Sequence, residues 1–365
     1  MTEITYAGVT DNFHFSDRPK QIEMIRDAIR EGMERNPLRK PKQADERYDC
    51  ADDLFEIRCA NEWMDVGCRR PPPKMLFDNF WFENELCILF ADTNVGKSIL
   101  AVQLGNCLAN GNDIEPFKTE TAACPVLYVD FEQSAAQFEA RYTVYDGPYK
   151  FSPRFFRAEL NAAAGHVRNY IDRVHYCIEE GLRKTGAKVL IIDNLTYLAN
   201  QAGQIGDALS MMKFLKTIKS KYHISILALA HTPKRNQTRP ITNNDMHGSK
   251  MLINFCDSAF AMGRSQKNSN IRYLKQIKQR NSSEVYGEGR VCLFTIERSG
   301  GLLRLCPAGY EPEHEHLQKA NYITIADRQA AKKMFSEGLS KRQIALQLDI
   351  ARSTVRRILE EEENG

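Results

Sequence analysis

Short apolar runs and helix-spaced segments alternate through the middle of the chain. Four runs have the length and composition of buried strands, at residues 86–90, 125–131, 188–194 and 224–231. A shorter run at 154–160 fits a further strand, and the apolar residues at 132–142, 166–185 and 208–222 recur with helical spacing. Strands that alternate with helices form parallel sheets, so the pattern predicts an α/β fold with a parallel sheet.

The pattern changes on both sides of this region. Residues 258–262, 271–278 and 290–296 predict further strands, some of them antiparallel. Residues 302–305 are expected to pair with the last of these through a turn at Ser299-Gly300-Gly301. Helical spacing predicts helices at 19–35 and 51–64 upstream, and three short helices at 326–336, 341–348 and 352–359 downstream.

These boundaries divide the chain into four parts. We expect an N-terminal helical extension (1–73), a core (74–310), a linker (311–321) and a small C-terminal helical domain (322–365). Residues 311–319 are polar and include His314 and His316, which we interpret as solvated surface, because two histidines without further ligands rarely hold a metal.

Composition limits the function classes. The net charge of +3 argues against general polyelectrolyte binding, so any affinity for nucleic acid must come from local patches. Ten cysteines without a C-x-x-C pair, several of them in apolar runs, favour reduced thiols and a cytoplasmic protein. The sequence shows neither a signal peptide nor an apolar run long enough to cross a membrane.

Between the first apolar run and its helix lies the octapeptide ADTNVGKS, which fits the P-loop pattern except that Ala stands in place of the first Gly. Backbone N–H groups of such a loop and the positive end of the following helix bind phosphate oxygens. Lys97 would reach the β- and γ-phosphates and Ser98 would bind Mg²⁺. The predicted ATP-binding residues are Ala91, Asp92, Thr93, Asn94, Val95, Gly96, Lys97, Ser98 and Ile99. The alternative is a chance match in a turn.

Carboxylates stand where two of the predicted strands end. Asp193 closes the run at 188–194 and could hold Mg²⁺ beside the P-loop. Asp130 and Glu132 are expected to point the same way, and one of them could activate the attacking water. The alternative for this pair is a helix N-cap followed by an acid in the first turn.

The order of P-loop, D-x-E, I-I-D and A-L-A-H-T resembles that of the RecA-like ATPases over residues 74–305. It looks most like the DnaB/RepA-type hexameric helicases and the RepA-like AAA ATPases of mobile elements. The resemblance implies a RecA-like P-loop NTPase core, with Glu132 as catalytic base and His231 as sensor of the γ-phosphate. A strand-end histidine with a backbone partner is the alternative for His231.

Residues 278–281 resemble the K-x-R-N segment that closes the DnaB core. That resemblance implies that Lys278 and Arg280 reach a neighbouring subunit's site and that the protein is a homo-oligomer, most naturally a hexamer. A cation at that place would stabilise charge that develops on the phosphoryl oxygens. An exposed basic edge strand is the alternative.

Two segments are candidates for binding DNA. The polar loop at 232–245 corresponds in position to a central-channel loop, where Lys234, Arg235 and Arg239 could follow a single strand. It could equally be a flexible surface loop, and Gly248-Ser249 after it resembles a family turn that transmits nucleotide state. Residues 338–359 resemble a resolvase-type helix-turn-helix, for which a protein–protein module is the alternative. Its candidate duplex-DNA contacts are Arg352, Ser353, Thr354, Arg356 and Arg357.

Two functions remain open. The first is an ATP-hydrolysing, ring-forming helicase or translocase that acts in the replication or mobilisation of DNA. The second is a DNA-binding regulator or mobile-element accessory factor that uses ATP as an assembly switch and does not unwind DNA. A small-molecule kinase would leave the helix-turn-helix and the K-x-R-N segment unexplained.

Overall fold

The computed structural model describes residue 27 and residues 55–69, 71–144, 147–161, 170–195, 205–246, 249–318, 325–348 and 350–360. Apart from Asp27, the predicted helix at 19–35 lies outside this part of the chain, as do Gly248 and the acidic residues after 360. The chain divides into two compact units, residues 1–74 and 75–365. In the first, helix α1 (Ala60–Arg69) begins nine residues later than the sequence pattern indicates.

The second unit is built around a large sheet. The strands that the structure describes are β1 (Met75–Phe77), β2 (Trp81–Phe82), β3 (Leu86–Ala91), β4 (Val126–Asp130), β5 (Thr143–Val144), β6 (Gly147–Pro148), β7 (Phe155–Glu159), β8 (Val189–Asp193), β9 (Ser225–His231), β10 (Ser258–Arg264), β11 (Ile271–Lys278), β12 (Val291–Ser299) and β13 (Leu302–Glu311). Within the described residues the large sheet has nine of these strands in the order β13-β12-β11-β10-β3-β9-β8-β4-β7, while β1-β2 and β5-β6 form two separate pairs. The strands from β10 to β7 run parallel, and β11, β12 and β13 continue the sheet antiparallel, as the sequence predicts.

Helices cover both faces of the sheet. These helices are α2 (Lys97–Asn110), α3 (Ala135–Tyr142), α4 (Tyr170–Thr185), α5 (Ile205–Tyr222) and α6 (Ser249–Phe255). Alternation along β3 sends Leu89 to the same apolar cluster as Leu104 of α2, and Ile88 to the opposite cluster, which α4, α5 and α6 complete. Short 3₁₀ helices occupy Asn243–Asp245 and Glu313–His316.

The β12–β13 hairpin confirms the turn that the sequence predicts. Ser299 pairs with Leu302 across a two-residue connection. Both connecting residues have positive φ, 56° at Gly300 and 85° at Gly301, which is the conformation that a type I′ turn requires. Strand β13 then continues to Glu311, six residues past the predicted end.

The linker prediction is wrong for residues 311–318, because this segment packs into the core. Glu313 is fully buried, and its Oε1 accepts hydrogen bonds from the Ile241 amide at 2.8 Å and the Tyr273 hydroxyl at 3.2 Å. Its Oε2 accepts a hydrogen bond from Lys275 Nζ at 2.5 Å. His316 is likewise buried rather than solvated. The sequence hides this arrangement because the partner of Glu313 lies 38 residues away.

Three C-terminal helices, α7 (Ile325–Ser336), α8 (Lys341–Gln347) and α9 (Arg352–Glu360), form a small cluster of their own. Their buried apolar residues are Ala331, Ile344, Val355 and Ile358. Ser340 caps α8 through a reciprocal pair of hydrogen bonds with Gln343. The arrangement agrees with the predicted helix-turn-helix. Among the helices that the structure describes, none could cross a bilayer.

Candidate functional site

The P-loop joins the end of β3 to the start of α2. Gly96 has φ of 120°, a conformation that L side chains rarely adopt, so the backbone requires glycine, and a Cβ atom there would also lie 2.9 Å from Ile296 Cδ1. Lys97 is buried, and burial lowers the pKa of its ammonium. Lys97 Nζ donates to the Ala91 carbonyl at 3.0 Å and to the Asp92 carbonyl at 3.1 Å, so the side chain folds back over the loop.

Parallel pairing brings the ends of four strands to one edge of the sheet. Ala91 of β3 pairs with His231 of β9, and Asp130 of β4 pairs with Asp193 of β8. The carboxyl ends of parallel strands all face the same way, so the residues that follow them converge beside the P-loop. The sequence prediction of a single site from these separate segments agrees with this geometry.

Lys97, His231 and Glu132 form a chain of polar contacts across this edge. His231 Nδ1 lies 3.1 Å from Lys97 Nζ, and His231 Nε2 lies 2.9 Å from Glu132 Oε1. The tautomer of His231 that accepts at Nδ1 and donates at Nε2 suits both Lys97 and Glu132. The hydrogen bond from His231 is the largest cause that lowers the pKa of Glu132. Glu132 is therefore ionised at neutral pH, as a general base must be.

Asn194 is a site residue that sequence reasoning missed. Its Nδ2 donates a hydrogen bond to Glu132 Oε1, so the carboxylate is held between Asn194 and His231. The signal was present in the sequence, since Asn194 directly follows Asp193 at a strand end.

The expectation that Asp130 and Glu132 point the same way is wrong. Strand β4 ends at Asp130, so strand alternation does not extend to Glu132. Asp130 is buried, and its Oδ2 accepts from Arg157 Nε at 3.1 Å and Nη2 at 3.0 Å. Its Oδ1 accepts from the Glu132 and Gln133 amides. Asp130 thus fixes the loop that carries Glu132, while the helix cap belongs to Ser134.

Asp193 is the deepest carboxylate of the site. Its Oδ2 accepts a hydrogen bond from the Tyr128 hydroxyl at 2.7 Å, and the Ser98 hydroxyl faces it. Burial raises the pKa of Asp193 from 3.8 to about 6. Its Oδ1 is buried and meets no hydrogen-bond donor of standard geometry in the described part of the chain. A hydroxyl and an unsatisfied carboxylate oxygen beside a P-loop fit Mg²⁺, which would neutralise charge on the phosphates.

Comparison with known proteins agrees with this geometry. Residues 56–237 match the family model of the AAA domain, and residues 324–362 match that of the helix-turn-helix domain of resolvase. The chain therefore contains an AAA domain, an ATPase domain that here carries a P-loop, and a resolvase-type helix-turn-helix domain towards its C-terminal end.

Among solved structures, a KaiC-like protein from the hyperthermophilic archaeon Pyrococcus horikoshii is similar to the ATPase at 15% sequence identity. The match covers 64% of this chain and 94% of that chain, with a TM-score of 0.46. Comparison with curated proteins gives no match.

The loop at 232–245 of the ATPase is held more firmly than a flexible surface loop would be. Thr232 Oγ1 and Gln237 Nε2 both donate to the Asp92 carboxylate of the P-loop, the second at 3.1 Å. At the other end, the Ile241 carbonyl accepts from the buried Lys275 at 2.9 Å. Of the three predicted DNA contacts in the loop, Lys234 and Arg239 are exposed and Arg235 is half-buried.

The K-x-R-N segment lies at the opposite edge of the sheet. Lys278 pairs with Ala259 near the start of β10, whereas the P-loop follows the end of β3. Lys278 Nζ donates to the Ile253 and Cys256 carbonyls at 2.5 Å and 2.8 Å, which commits this ammonium within its own chain. Arg280 instead is about half exposed and contacts Asp257 at 3.4 Å.

The helix-turn-helix presents a basic outer face. Arg352, Ser353, Arg356 and Arg357 are exposed on α9, and Thr354 is half-buried. Arg356 Nε donates to Glu360 Oε1 at 2.5 Å, so part of its charge is balanced locally. Together these residues offer cations and hydroxyl groups that suit phosphate and base-edge contacts.

Proposed function

We propose that the chain is an ATP-hydrolysing, ring-forming DNA motor, a helicase or translocase that acts in the replication or mobilisation of DNA. The observation that carries the proposal is the separation of two half-sites. Lys97, Glu132 and His231 meet at one edge of the sheet, and Arg280 projects from the other. A ring that joins opposite edges of neighbouring subunits would complete each site.

The chemistry proposed for the first half-site follows from its contacts. Glu132 takes a proton from the attacking water, with its carboxylate held by Asn194 and His231. Lys97 leaves its loop carbonyls and binds the β- and γ-phosphates. His231 then loses its Lys97 contact, so it can respond to the γ-phosphate. Thr232, the next residue, carries that response into the loop at 232–245.

Distance supports the need for a second chain. Strand β10 has seven residues, which span about 20 Å at roughly 3.3 Å per residue. Arg280 lies beyond the start of this strand, while the P-loop lies beyond the end of the adjacent β3. An arginine side chain is far too short for that span. Arg280 would therefore act on ATP bound by a neighbour, and Lys278 would support it by fixing the end of α6.

DNA is the proposed binding partner because two elements of the chain, the loop at 232–245 and the helix-turn-helix, carry exposed basic residues. The exposed Lys234 and Arg239 would follow a single strand by charge alone, since the loop has no aromatic residue for stacking. The helix-turn-helix would dock the ring on duplex DNA.

Mass measurement tests ring formation directly. We expect the purified protein to be smaller without nucleotide and to form a closed oligomer, with six copies as the expectation, when ATP and Mg²⁺ are added. A Lys97→Ala variant should fail to respond to ATP. A mass that equals one chain under all conditions, with ATP hydrolysis intact, would overturn the proposal.

The contacts that fix the loop at 232–245 favour one alternative function, an ATP-switched DNA-binding regulator without unwinding activity. Its contacts to Asp92 and Lys275 leave less freedom for the stroke of a motor than a free loop would have. Strand displacement from a forked duplex separates the two. ATP-dependent DNA binding without strand displacement or movement along DNA would support the switch.

A further inference from the structure

A pair of arginines lies beside the P-loop on the side away from the hydrolytic groups. Arg264 is the last residue of β10 and stands opposite Arg272 of β11. Arg272 Nε donates to the Val95 carbonyl of the P-loop at 2.9 Å. Both guanidinium groups also donate to one acceptor, the Ser269 carbonyl, at 3.3 Å from Arg264 and 2.6 Å from Arg272. Two like charges are therefore held together at the edge of the nucleotide loop.

The charge of this pair is not balanced locally. In the residues that the structure describes, the contacts of both side chains are to backbone carbonyls, and no carboxylate lies within ion-pair distance of either. Arg272 is half-buried, and burial together with the charge of Arg264 lowers its pKa. Holding two cations side by side costs free energy unless an anion or a π system joins them.

The position of the pair relative to the hydrolytic groups indicates which part of a nucleotide it meets. Glu132 follows β4, and His231 and Asp193 are the last residues of β9 and β8, so all three lie on one side of β3. The arginines are on β10 and β11, on the other side. Neighbouring strands lie about 4.8 Å apart, so a triphosphate laid across the end of β3 spans both sides. The γ-phosphate must face Glu132, and the nucleoside end then points to the arginines.

The floor beneath this end is apolar. Met262 and Ile296 lie in the same cluster as Val95, and a Cβ at Gly96 would meet them at 3.7 Å and 2.9 Å. Alternation places Arg264 on the same face as Met262. A planar guanidinium above an apolar surface suits stacking on a purine ring.

We propose that Arg264 and Arg272 form the nucleoside-side subsite of the ATP site, where the guanidinium of Arg264 stacks on the base. Arg272 also fixes the P-loop through Val95, and the exposed Arg264 is the residue that contacts the nucleotide. This inference rests on the proposed ATP-binding function and adds to it the residues that distinguish a nucleotide from a bare polyphosphate.

Calorimetric titration of the full-length protein tests the subsite, with Mg·ATP and Mg·tripolyphosphate as probes. The variant is Arg264→Ala, because Arg264 is exposed and its loss leaves the Arg272–Val95 contact in place. Arg304→Ala is the matched control, since it removes an exposed arginine from β13 of the same sheet. We expect Arg264→Ala to weaken ATP binding about tenfold or more and to leave tripolyphosphate binding unchanged.

Three other results would count against the subsite. Unchanged ATP affinity in Arg264→Ala would overturn it. Equal losses for ATP and tripolyphosphate would also overturn it, because the pair would then act on the phosphate chain or on the loop. A comparable loss in Arg304→Ala would mean that general surface charge is responsible. Failure of the unmodified protein to bind ATP would instead refute the proposed function itself.

Discussion

Replacing Asp193 by Asn should stabilise the nucleotide-free protein while it abolishes ATP hydrolysis. Burial raises the pKa of Asp193 from 3.8 to about 6. At neutral pH the ionised carboxylate therefore has a higher free energy in the folded protein than in the unfolded chain. A rise of about two pH units corresponds to about 3 kcal/mol of lost stability above pH 6. Asparagine carries no charge, and it can still accept a hydrogen bond from Tyr128 and donate one towards Ser98.

The sign of the pH dependence follows from the direction of the shift. A carboxyl whose pKa is raised on folding weakens stability as pH rises through the interval from 3.8 to about 6. The advantage of Asp193→Asn should therefore be about 3 kcal/mol at pH 7.5, about 1 kcal/mol at pH 4.5, and should vanish below the lower value.

Asp130→Asn is the matched control. The same chemical change is made at the residue that pairs with Asp193 in the sheet, and both carboxylates are buried. Asp130 differs because Arg157 donates two hydrogen bonds to it. Removing its charge leaves Arg157 with Glu159 as its remaining carboxylate partner, so Asp130→Asn should destabilise the fold by about 1–3 kcal/mol.

Urea unfolding of both variants, followed by the fluorescence of the buried Trp81, provides the measurement. Opposite signs for the two substitutions at pH 7.5 are the expected result. If Asp193→Asn loses as much stability as Asp130→Asn, the charge of Asp193 does not destabilise the nucleotide-free fold. Our interpretation of Asp193 as a metal-binding carboxylate would then be wrong.

Three further outcomes are expected. Glu132→Gln should lower kcat for ATP hydrolysis by about 10²- to 10⁴-fold and leave ATP binding intact, as measured by phosphate release and calorimetry; a loss of binding alone would contradict its role as base. Gly96→Ala should weaken ATP binding, because φ is 120° and an L side chain is strained there, and unaltered affinity would refute the argument that the loop requires glycine. Arg352→Ala should weaken duplex DNA binding and reduce its salt dependence, whereas Leu346→Ala, an exposed change on the preceding helix, should not; fluorescence anisotropy at several salt concentrations distinguishes them.

Local sequence patterns account for most of the core. Apolar runs located the strands, and the P-loop and the ends of two strands located Lys97, Glu132 and Asp193 because the carboxyl ends of parallel strands meet at one edge. The turn at Gly300-Gly301 could be predicted equally well, since glycine adopts positive φ at both positions without strain. Each of these signals lies within a few residues of sequence.

Contacts between segments that are distant in the sequence could not be predicted from it. The position of Asp130 depends on Arg157, and the burial of Glu313 depends on Lys275, which are 27 and 38 residues away. Neither partner carries a local signal, because an isolated Arg, Lys or Glu is most often exposed. The same limit concealed the intrachain role of Lys278, whose acceptors are backbone carbonyls with no signature in the sequence.

ATP hydrolysis by mixed variants tests most directly whether two chains share each site. Lys97→Ala and Arg280→Ala should each be inactive as pure proteins, since each destroys one half of every site. In mixtures, some interfaces join an intact P-loop to an intact Arg280. We predict that activity returns in mixtures and is greatest near equal amounts of the two variants. Absence of activity at every mixing ratio, in samples whose mass shows mixed oligomers, would contradict the shared site.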